Sequence, residues 1–204
     1  EVHENIYTIP NILTFTRIAT TPIIGYLIVK GESNWALGFF VYSAITDFLD
    51  GFIARKYNLQ SVVGSVLDPL ADKALMIICT FCLAKVSAIP IYLAALILGR
   101  DIILFLAAIV IRWISLPPPK TFLRYWDVSI VTAEVRPNMI SKVNTGLQMV
   151  YIGSMVIKPV LIAHLGPDAT GLVLNLLQGL EWTVACTTIL SGLSYVFKNG
   201  VKII

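Results

Sequence analysis

The chain has 204 residues, of which 57% are hydrophobic and only 13% charged, with a formal charge of +3 and a mean hydropathy of +0.82. A soluble domain normally carries about twice that charged fraction. Composition therefore excludes a water-soluble globule, and the small net charge gives no reason to expect a nucleic-acid partner.

Six apolar runs of about 20 residues, the length a helix needs to cross a bilayer, are predicted at 11–29, 35–53, 68–84, 91–114, 140–162 and 171–197. Lipid cannot satisfy exposed backbone groups, and no run alternates apolar and polar residues over ten positions, so helices are predicted rather than a β-barrel. The expected fold is all-α: a polytopic bundle of six transmembrane helices, forming one domain over 1–204.

Residues 1–10 are expected to lie along the membrane interface through Ile6, Tyr7 and Ile9, with Pro10-Asn11 punctuating the first helix. The opening Glu-Val-His-Glu resembles neither a signal peptide nor a basic transit peptide, so targeting is internal or a presequence has been removed. Arg17 falls about two turns into the first run, where a charge either finds a partner or a watery cavity, or snorkels to the interface.

The second run ends in Asp47-x-x-Asp50-Gly51-x-x-Ala54-Arg55, and after eight residues comes Gly64-x-x-x-Asp68-x-x-x-Asp72. Residues 56–65 read as a short interfacial loop. Asp68-Pro69 is expected to open the third helix, since proline suits the first turn and aspartate the positive end of the dipole. Lys73 points away from Asp72 and reads as a structural charge or, less directly, a ligand contact. In the fourth run Arg100-Asp101 is either a buried ion pair or a substrate contact.

From 115 to 139 the apolar pattern breaks at Leu116-Pro117-Pro118-Pro119. Phe122, Tyr125 and Trp126 among Arg124, Asp127, Glu134 and Arg136 suggest an interfacial loop with a short amphipathic helix over the cleft mouth. Lys142 opens the fifth run, and Glu181 in the last reads as a paired carboxylate. Cys79, Cys82 and Cys186 are odd in number and sit in apolar runs, so packing is expected rather than disulfide, redox or zinc chemistry. His3 and His164 lie outside the runs and assemble no histidine-based site.

Six spans put Arg55, Lys56, Lys120, Arg124, Arg136, Lys198 and Lys202 on one side, against Lys30, Lys85 and Lys158 on the other. The positive-inside bias places the aspartates on the cytoplasmic side, or the matrix side of a mitochondrial membrane. Basic loops there would attract anionic lipid headgroups.

Spacings of three and four put Asp47 with Asp50, and Asp68 with Asp72, on single helical faces, so two helices can aim four carboxylates into one cleft. Carboxylate oxygens suit hard divalent cations such as magnesium or manganese, and two such ions can clamp a diphosphate. Gly51, Ala54 and Gly64 share those faces and let a bulky ligand approach the backbone. Arg55 can bind phosphate at the cleft mouth. The chemistry suggested is in-line phosphoryl transfer, with Asp72, deepest along the third helix, as the base for the acceptor hydroxyl.

At this string the sequence resembles the CDP-alcohol phosphotransferase family, whose signature D-x2-D-G-x2-A-R-x8-G-x3-D-x3-D is met without departure. The resemblance covers almost the whole chain and implies a six-helix membrane domain holding two ions, magnesium or manganese with cobalt as a third candidate. It implies that Asp47 and Asp68 touch both metals, Asp50 one and Asp72 the other, with Asp72 accepting the proton. Gly51 and Arg55 would contact the CDP-linked donor, with weaker support for Ser61, Asn11 and Thr14, and members are commonly homodimers.

Within the family, Ile6-Tyr7-Thr8-Ile9-Pro10-Asn11, Leu67-Asp68-Pro69-Leu70-Ala71-Asp72-Lys73, Gly99-Arg100-Asp101 and Ile140-Ser141-Lys142-Val143-Asn144-Thr145 resemble the branch of eukaryotic, mitochondrial cardiolipin synthases. That branch implies CDP-diacylglycerol as donor, phosphatidylglycerol as acceptor, and an inner-membrane site facing the matrix; the alternative setting is a bacterial cytoplasmic membrane. The rival within the family is phosphatidylglycerophosphate synthase, with glycerol 3-phosphate as acceptor. Arg17, Arg100, Lys142, Arg112 and Arg136 are candidates for the acceptor's phosphate in either case. Outside the family, an ion or lipid transporter would use the intramembrane charges as a path, but no paired repeat supports it. A purely structural membrane protein would tolerate loss of Asp68.

Overall fold

The computed structural model describes residues 9–56, 62–116, 134–135, 139–197 and 201–202. Six helices account for nearly all of them: α1 (Ile9–Lys30), α2 (Ser33–Lys56), α3 (Val62–Lys85), α4 (Ile91–Ser115), α5 (Met139–His164) and α6 (Pro167–Phe197). Two-residue strands β1 (Glu134–Val135) and β2 (Val201–Lys202) pair antiparallel, with Glu134 opposite Lys202 and Val135 opposite Val201. The all-α expectation holds.

Among the described residues α1, α2, α4, α5 and α6 are long and apolar enough to cross a membrane. At 24 residues α3 is also long enough, but its first half carries Asp68, Asp72 and Lys73. The burial pattern is that of a multi-pass membrane bundle. Asn11, Thr14, Arg17, Asp50, Arg100, Asn144 and Gln148 are buried, whereas Phe48, Phe105, Ile91 and Leu176 are exposed. Such apolar exposure would drive association in water but suits lipid, where polar side chains gain by meeting one another inside the bundle.

Two boundaries differ from expectation. Asp68-Pro69 does not open α3, which starts at Val62, so Pro69 sits in its second turn. Proline there removes one backbone bond, yet the earlier start puts Gly64, Asp68 and Asp72 on one uninterrupted helix. α6 begins at Pro167, not 171, with Asp168 in its first turn; proline and an acidic residue both suit a helix start. His164 closes α5 rather than lying beyond it.

Sharp turns bring α1 to α2 and α3 to α4. After α1, Gly31 adopts φ 79°, its amide donating to the Ile28 carbonyl and that of Glu32 to Leu27. This is a Schellman ending, in which the left-handed residue lets orphan carbonyls find donors. The same pattern follows α3, where Ser87 donates to Ala84 and Ala88 to Leu83, but here Ser87 takes φ 56°. α1 packs against both α2 and α3. At Gly25 the approach of α3 is so close that a Cβ would lie 2.6 Å from the Ile78 methyl Cγ2.

The chain forms two compact units, one of Glu1–Ala94 with Met149–Leu177 and one of Ala95–Gln148 with Gln178–Ile204. Each buries its own polar cluster. The expected interfacial segments lie outside the described residues, except for Ile9 and Pro10, Ser115 and Leu116, the strand β1 and Met139; of the loop expected at 56–65, Lys56 instead ends α2 and residues 62–65 open α3.

Candidate active site

Three helices of the first unit build a polar cluster. Along α1 a spacing of three, three and four puts Asn11, Thr14, Arg17 and Thr21 on one face, and all four are buried. α2 supplies Asp47 and Asp50, and α3 supplies Asp68 and Asp72. All four carboxylates converge on the Arg17 guanidinium. Nη1 donates to Asp47 Oδ1 and, at 2.9 Å, to Asp72 Oδ1. Nη2 donates to Asp50 Oδ2 at 3.0 Å and lies 3.6 Å from Asp68 Oδ1.

Burial separates the four carboxylates. Asp50 is 4% exposed, whereas Asp47, Asp68 and Asp72 keep 43%, 44% and 42% of their side-chain surface. One aspartate therefore anchors the cluster and three line an open cleft. The Thr14 hydroxyl lies 2.6 Å from Asp68 Oδ1, 3.1 Å from the Pro10 carbonyl and 3.4 Å from Asp50 Oδ2. Its single proton serves one acceptor at a time, and Asp68 is the nearest. Thr20 and Thr21 both donate to the Arg17 carbonyl, at 3.0 and 2.8 Å.

Among the described residues no three acidic, histidine or cysteine side chains are already drawn to one metal-ligating point; the oxygens instead surround the guanidinium. The donor set nevertheless fits hard divalent cations. It is all carboxylate, three members are accessible, and four negative groups share Arg17, leaving capacity for further positive charge. Among the described residues Arg17 Nε is buried without a hydrogen-bond partner. Asp47, Asp50, Asp68 and Asp72 are the residues that would hold metal.

Of the other expected donor-side residues, two are neighbours of the aspartates along their helices. Gly51 is half-buried next to Asp50, and Gly64 is buried one turn before Asp68. Ala54 and Arg55 belong to the last turn of α2; Ser61 lies outside the described residues. Arg17, expected with the acceptor, is found among the carboxylates, and its 3% exposure is incompatible with snorkelling. Lys73 is exposed. The three cysteines are free, and the Cys82 sulfur helps form the tight α1–α3 contact at Gly25.

The second unit holds a different cluster. Arg100 on α4 is buried and pairs with Asp101 at 2.8 Å. Its Nη2 donates to Ser141 Oγ on α5 and, at 3.1 Å, to Ser191 Oγ on α6, so one guanidinium ties three helices together. Further along, Thr188 Oγ1 lies 3.1 Å and Thr187 Oγ1 2.8 Å from Asn144 Oδ1. Gln148 Nε2 donates to Thr188 Oγ1 at 3.0 Å. Among the described residues Arg100 Nε and Asn144 Nδ2 are buried without hydrogen-bond partners. Of the other acceptor candidates, Arg112 is half-buried in the last turn of α4 and Lys142 exposed in the first turn of α5, while Arg136 lies outside the described residues.

Sequence reasoning did not anticipate the seam of Asn144, Gln148, Thr187, Thr188 and Ser191. The spacing of three and four through Ser141, Asn144 and Gln148 was its available signal, an inward polar face on an otherwise apolar helix.

The sequence profile of the family described as CDP-alcohol phosphatidyltransferase matches residues 7–191. A Schizosaccharomyces pombe protein named cardiolipin synthase (CMP-forming) / mitochondrial hydrolase fusion protein is 46% identical over 98% of this chain and 32% of its own length. A Drosophila melanogaster protein named probable cardiolipin synthase (CMP-forming) is 44% identical over 100% of this chain and 62% of its own. At lower identity, 34% over 96% of this chain and 58% of its own, stands an Oryza sativa chloroplastic CDP-diacylglycerol–glycerol-3-phosphate 3-phosphatidyltransferase. The chain thus spans less than two thirds of the length of these relatives.

Proposed function

The chain belongs to the CDP-alcohol phosphatidyltransferase family, and from that premise we propose that it is a cardiolipin synthase, transferring the phosphatidyl group of CDP-diacylglycerol to phosphatidylglycerol to give cardiolipin and CMP. The observation that carries the transferase half is the convergence of Asp47, Asp50, Asp68 and Asp72 on one open cleft within a membrane bundle. The choice of acceptor is supported by the identities of 46% and 44% to proteins named cardiolipin synthase, against 34% to the glycerol-3-phosphate enzyme. Phosphatidylglycerophosphate synthase is the second reading.

The family is generally dependent on divalent metal, and two magnesium or manganese ions, or cobalt in their place, would neutralise the donor diphosphate and polarise the transferred phosphorus. In the proposed reaction the terminal hydroxyl of phosphatidylglycerol attacks the phosphorus carrying diacylglycerol, and the bond from that phosphorus to CMP breaks. Asp72, 42% exposed, takes the hydroxyl proton. Asp50 keeps the cluster anchored, and Thr14 orients Asp68 through its hydroxyl.

Gly51, Ala54 and Gly64 are assigned to the surface along which the cytidine moiety approaches, with Arg55, Ser61 and Asn11 beside it. For the acceptor phosphate, Arg100 is assigned because its buried Nε lacks a partner, with Lys142, Arg112 and Arg136 as the remaining cations. Arg17 is omitted, since its guanidinium is committed to four carboxylates. The proposal further places the enzyme as a homodimer in the mitochondrial inner membrane, its site facing the matrix.

The deciding assay offers the purified chain CDP-diacylglycerol, divalent metal and either phosphatidylglycerol or glycerol 3-phosphate. Cardiolipin from the first alone is expected. Phosphatidylglycerophosphate from the second overturns the acceptor assignment, and ion or lipid flux in liposomes without CMP release overturns the enzyme.

A further inference from the structure

Among the described residues Arg17 is the side chain that meets all four aspartates, and its position shows a conflict between two kinds of cation. Its Nη atoms occupy Asp47 Oδ1, Asp72 Oδ1 and Asp50 Oδ2, oxygens that would also serve a metal ion. A dication held by the same carboxylates would sit within a few ångströms of the guanidinium, where like charges repel strongly in a partly buried setting. Lysine and arginine stems turn readily about their bonds, and this guanidinium is held through Nη1 and Nη2, while among the described residues Nε is buried and unpartnered. The carboxylates, by contrast, need a cation at all times: Asp50 is buried and the four charges crowd one another.

We propose that Arg17 is a resident counter-cation of the aspartate cleft, which holds the four carboxylates together before metal loading and gives way when divalent metal binds. Arg17 is thus a positioning residue that sets metal affinity from within the chain. Metal binding and the hold of Arg17 on the carboxylates compete for the same oxygens, so each weakens the other by the same factor. This inference rests on the reading of the cleft as a divalent-metal site.

The test uses the full chain in detergent, stripped with chelator and titrated with manganese chloride without nucleotide or lipid substrate, free Mn2+ being read by electron paramagnetic resonance. Arg17→Gln removes the charge and keeps hydrogen-bonding capacity. It is expected to bind Mn2+ about tenfold tighter than the wild type, in the range common for coupled sites. Its melting temperature is expected to fall in chelator and to recover at saturating Mn2+. A residue with only a packing role would weaken metal binding when lost, not tighten it. Equal or weaker Mn2+ affinity in folded Arg17→Gln overturns the proposal while leaving the metal site standing.

Arg17→Lys supplies the same test should the glutamine variant fail to fold. Its smaller ammonium reaches fewer of the four carboxylates, and Mn2+ affinity is expected to rise by a lesser factor; no rise overturns the proposal. Absence of Mn2+ binding by the wild type overturns the metal reading itself, and the role of Arg17 falls with it.

Discussion

Each compact unit buries an arginine between three helices, but the two guanidiniums face opposite surroundings. Arg17 meets four carboxylates, three of them more than 40% exposed. Arg100 meets one carboxylate, which is itself buried, and two serine hydroxyls. The first cluster has negative charge to spare and an open side, so it is suited to bind cations and react. The second is closed and polar without being acidic, and its unfilled capacity consists of donors, Arg100 Nε and Asn144 Nδ2. Proposed donor chemistry and proposed acceptor recognition are thereby divided between the units.

The largest effect expected from breaking this division is at Asp72. Replacing it with asparagine keeps the shape but removes the proton acceptor, and turnover should fall about 10^3-fold, as for loss of a general base. Binding of CDP-diacylglycerol should be largely retained. CMP release measures the first and equilibrium binding of labelled donor the second; near-full turnover would remove Asp72 from the mechanism.

Next is Arg100→Met, which leaves Asp101 in place and strips Ser141 and Ser191 of their shared donor. The Michaelis constant for phosphatidylglycerol should rise about tenfold or more, with that for CDP-diacylglycerol unchanged, since a buried hydrogen bond involving a charged group is worth about 1.5–3 kcal/mol. A rise in the donor's constant instead would erase the distinction between the two arginines.

Within the first unit, Thr14→Val removes the hydroxyl that meets Asp68 at 2.6 Å. About 1–2 kcal/mol of carboxylate positioning is at stake, so kcat/KM for the donor should fall roughly tenfold while the fold survives. An unchanged value would show that Asp68 needs no such support.

The remaining effects concern backbone, not chemistry. Gly25→Ala forces a Cβ to 2.6 Å from the Ile78 side chain and should cost about 1–3 kcal/mol by overpacking. Gly146→Ala in the second unit meets nothing within 4 Å and should stabilise by about 0.5–1 kcal/mol, as removing a helical glycine does. Ser87→Gly, relieving the left-handed turn at φ 56°, should gain about as much. Thermal unfolding in detergent ranks all three, and equal melting temperatures for the two alanine variants would show that α1–α3 is not tightly packed.

Much of the first cluster was legible beforehand. The intervals 47–50 and 68–72 are helical spacings, and carboxylates in an apolar chain draw attention because they are costly there. The place of Asp68-Pro69 was misread, because proline is commonest at a helix start and its occurrence within α3 depends on the residues around it. The partners of Arg17 were not legible for a related reason: a lone charge on one helix does not name its partner, and those it meets lie 30 to 55 residues away. The seam through Asn144, Gln148, Thr187 and Thr188 went unread because short polar residues in membrane helices carry no sign of which neighbour they will meet.

The amino-acid sequence by itself determined the all-helical membrane character and the two acidic helix faces, since both follow from local composition and spacing, and its resemblance to a known signature pointed to the family. Only the tertiary structure decided which cation the aspartates share, which of them is sunk and which are open, and that a second buried arginine keeps different company. Those outcomes depend on how α1 packs against α2 and α3, and on which hydroxyls reach Arg100. Such contacts between residues distant in the chain arise when apolar faces turn to lipid and polar ones are left to satisfy one another.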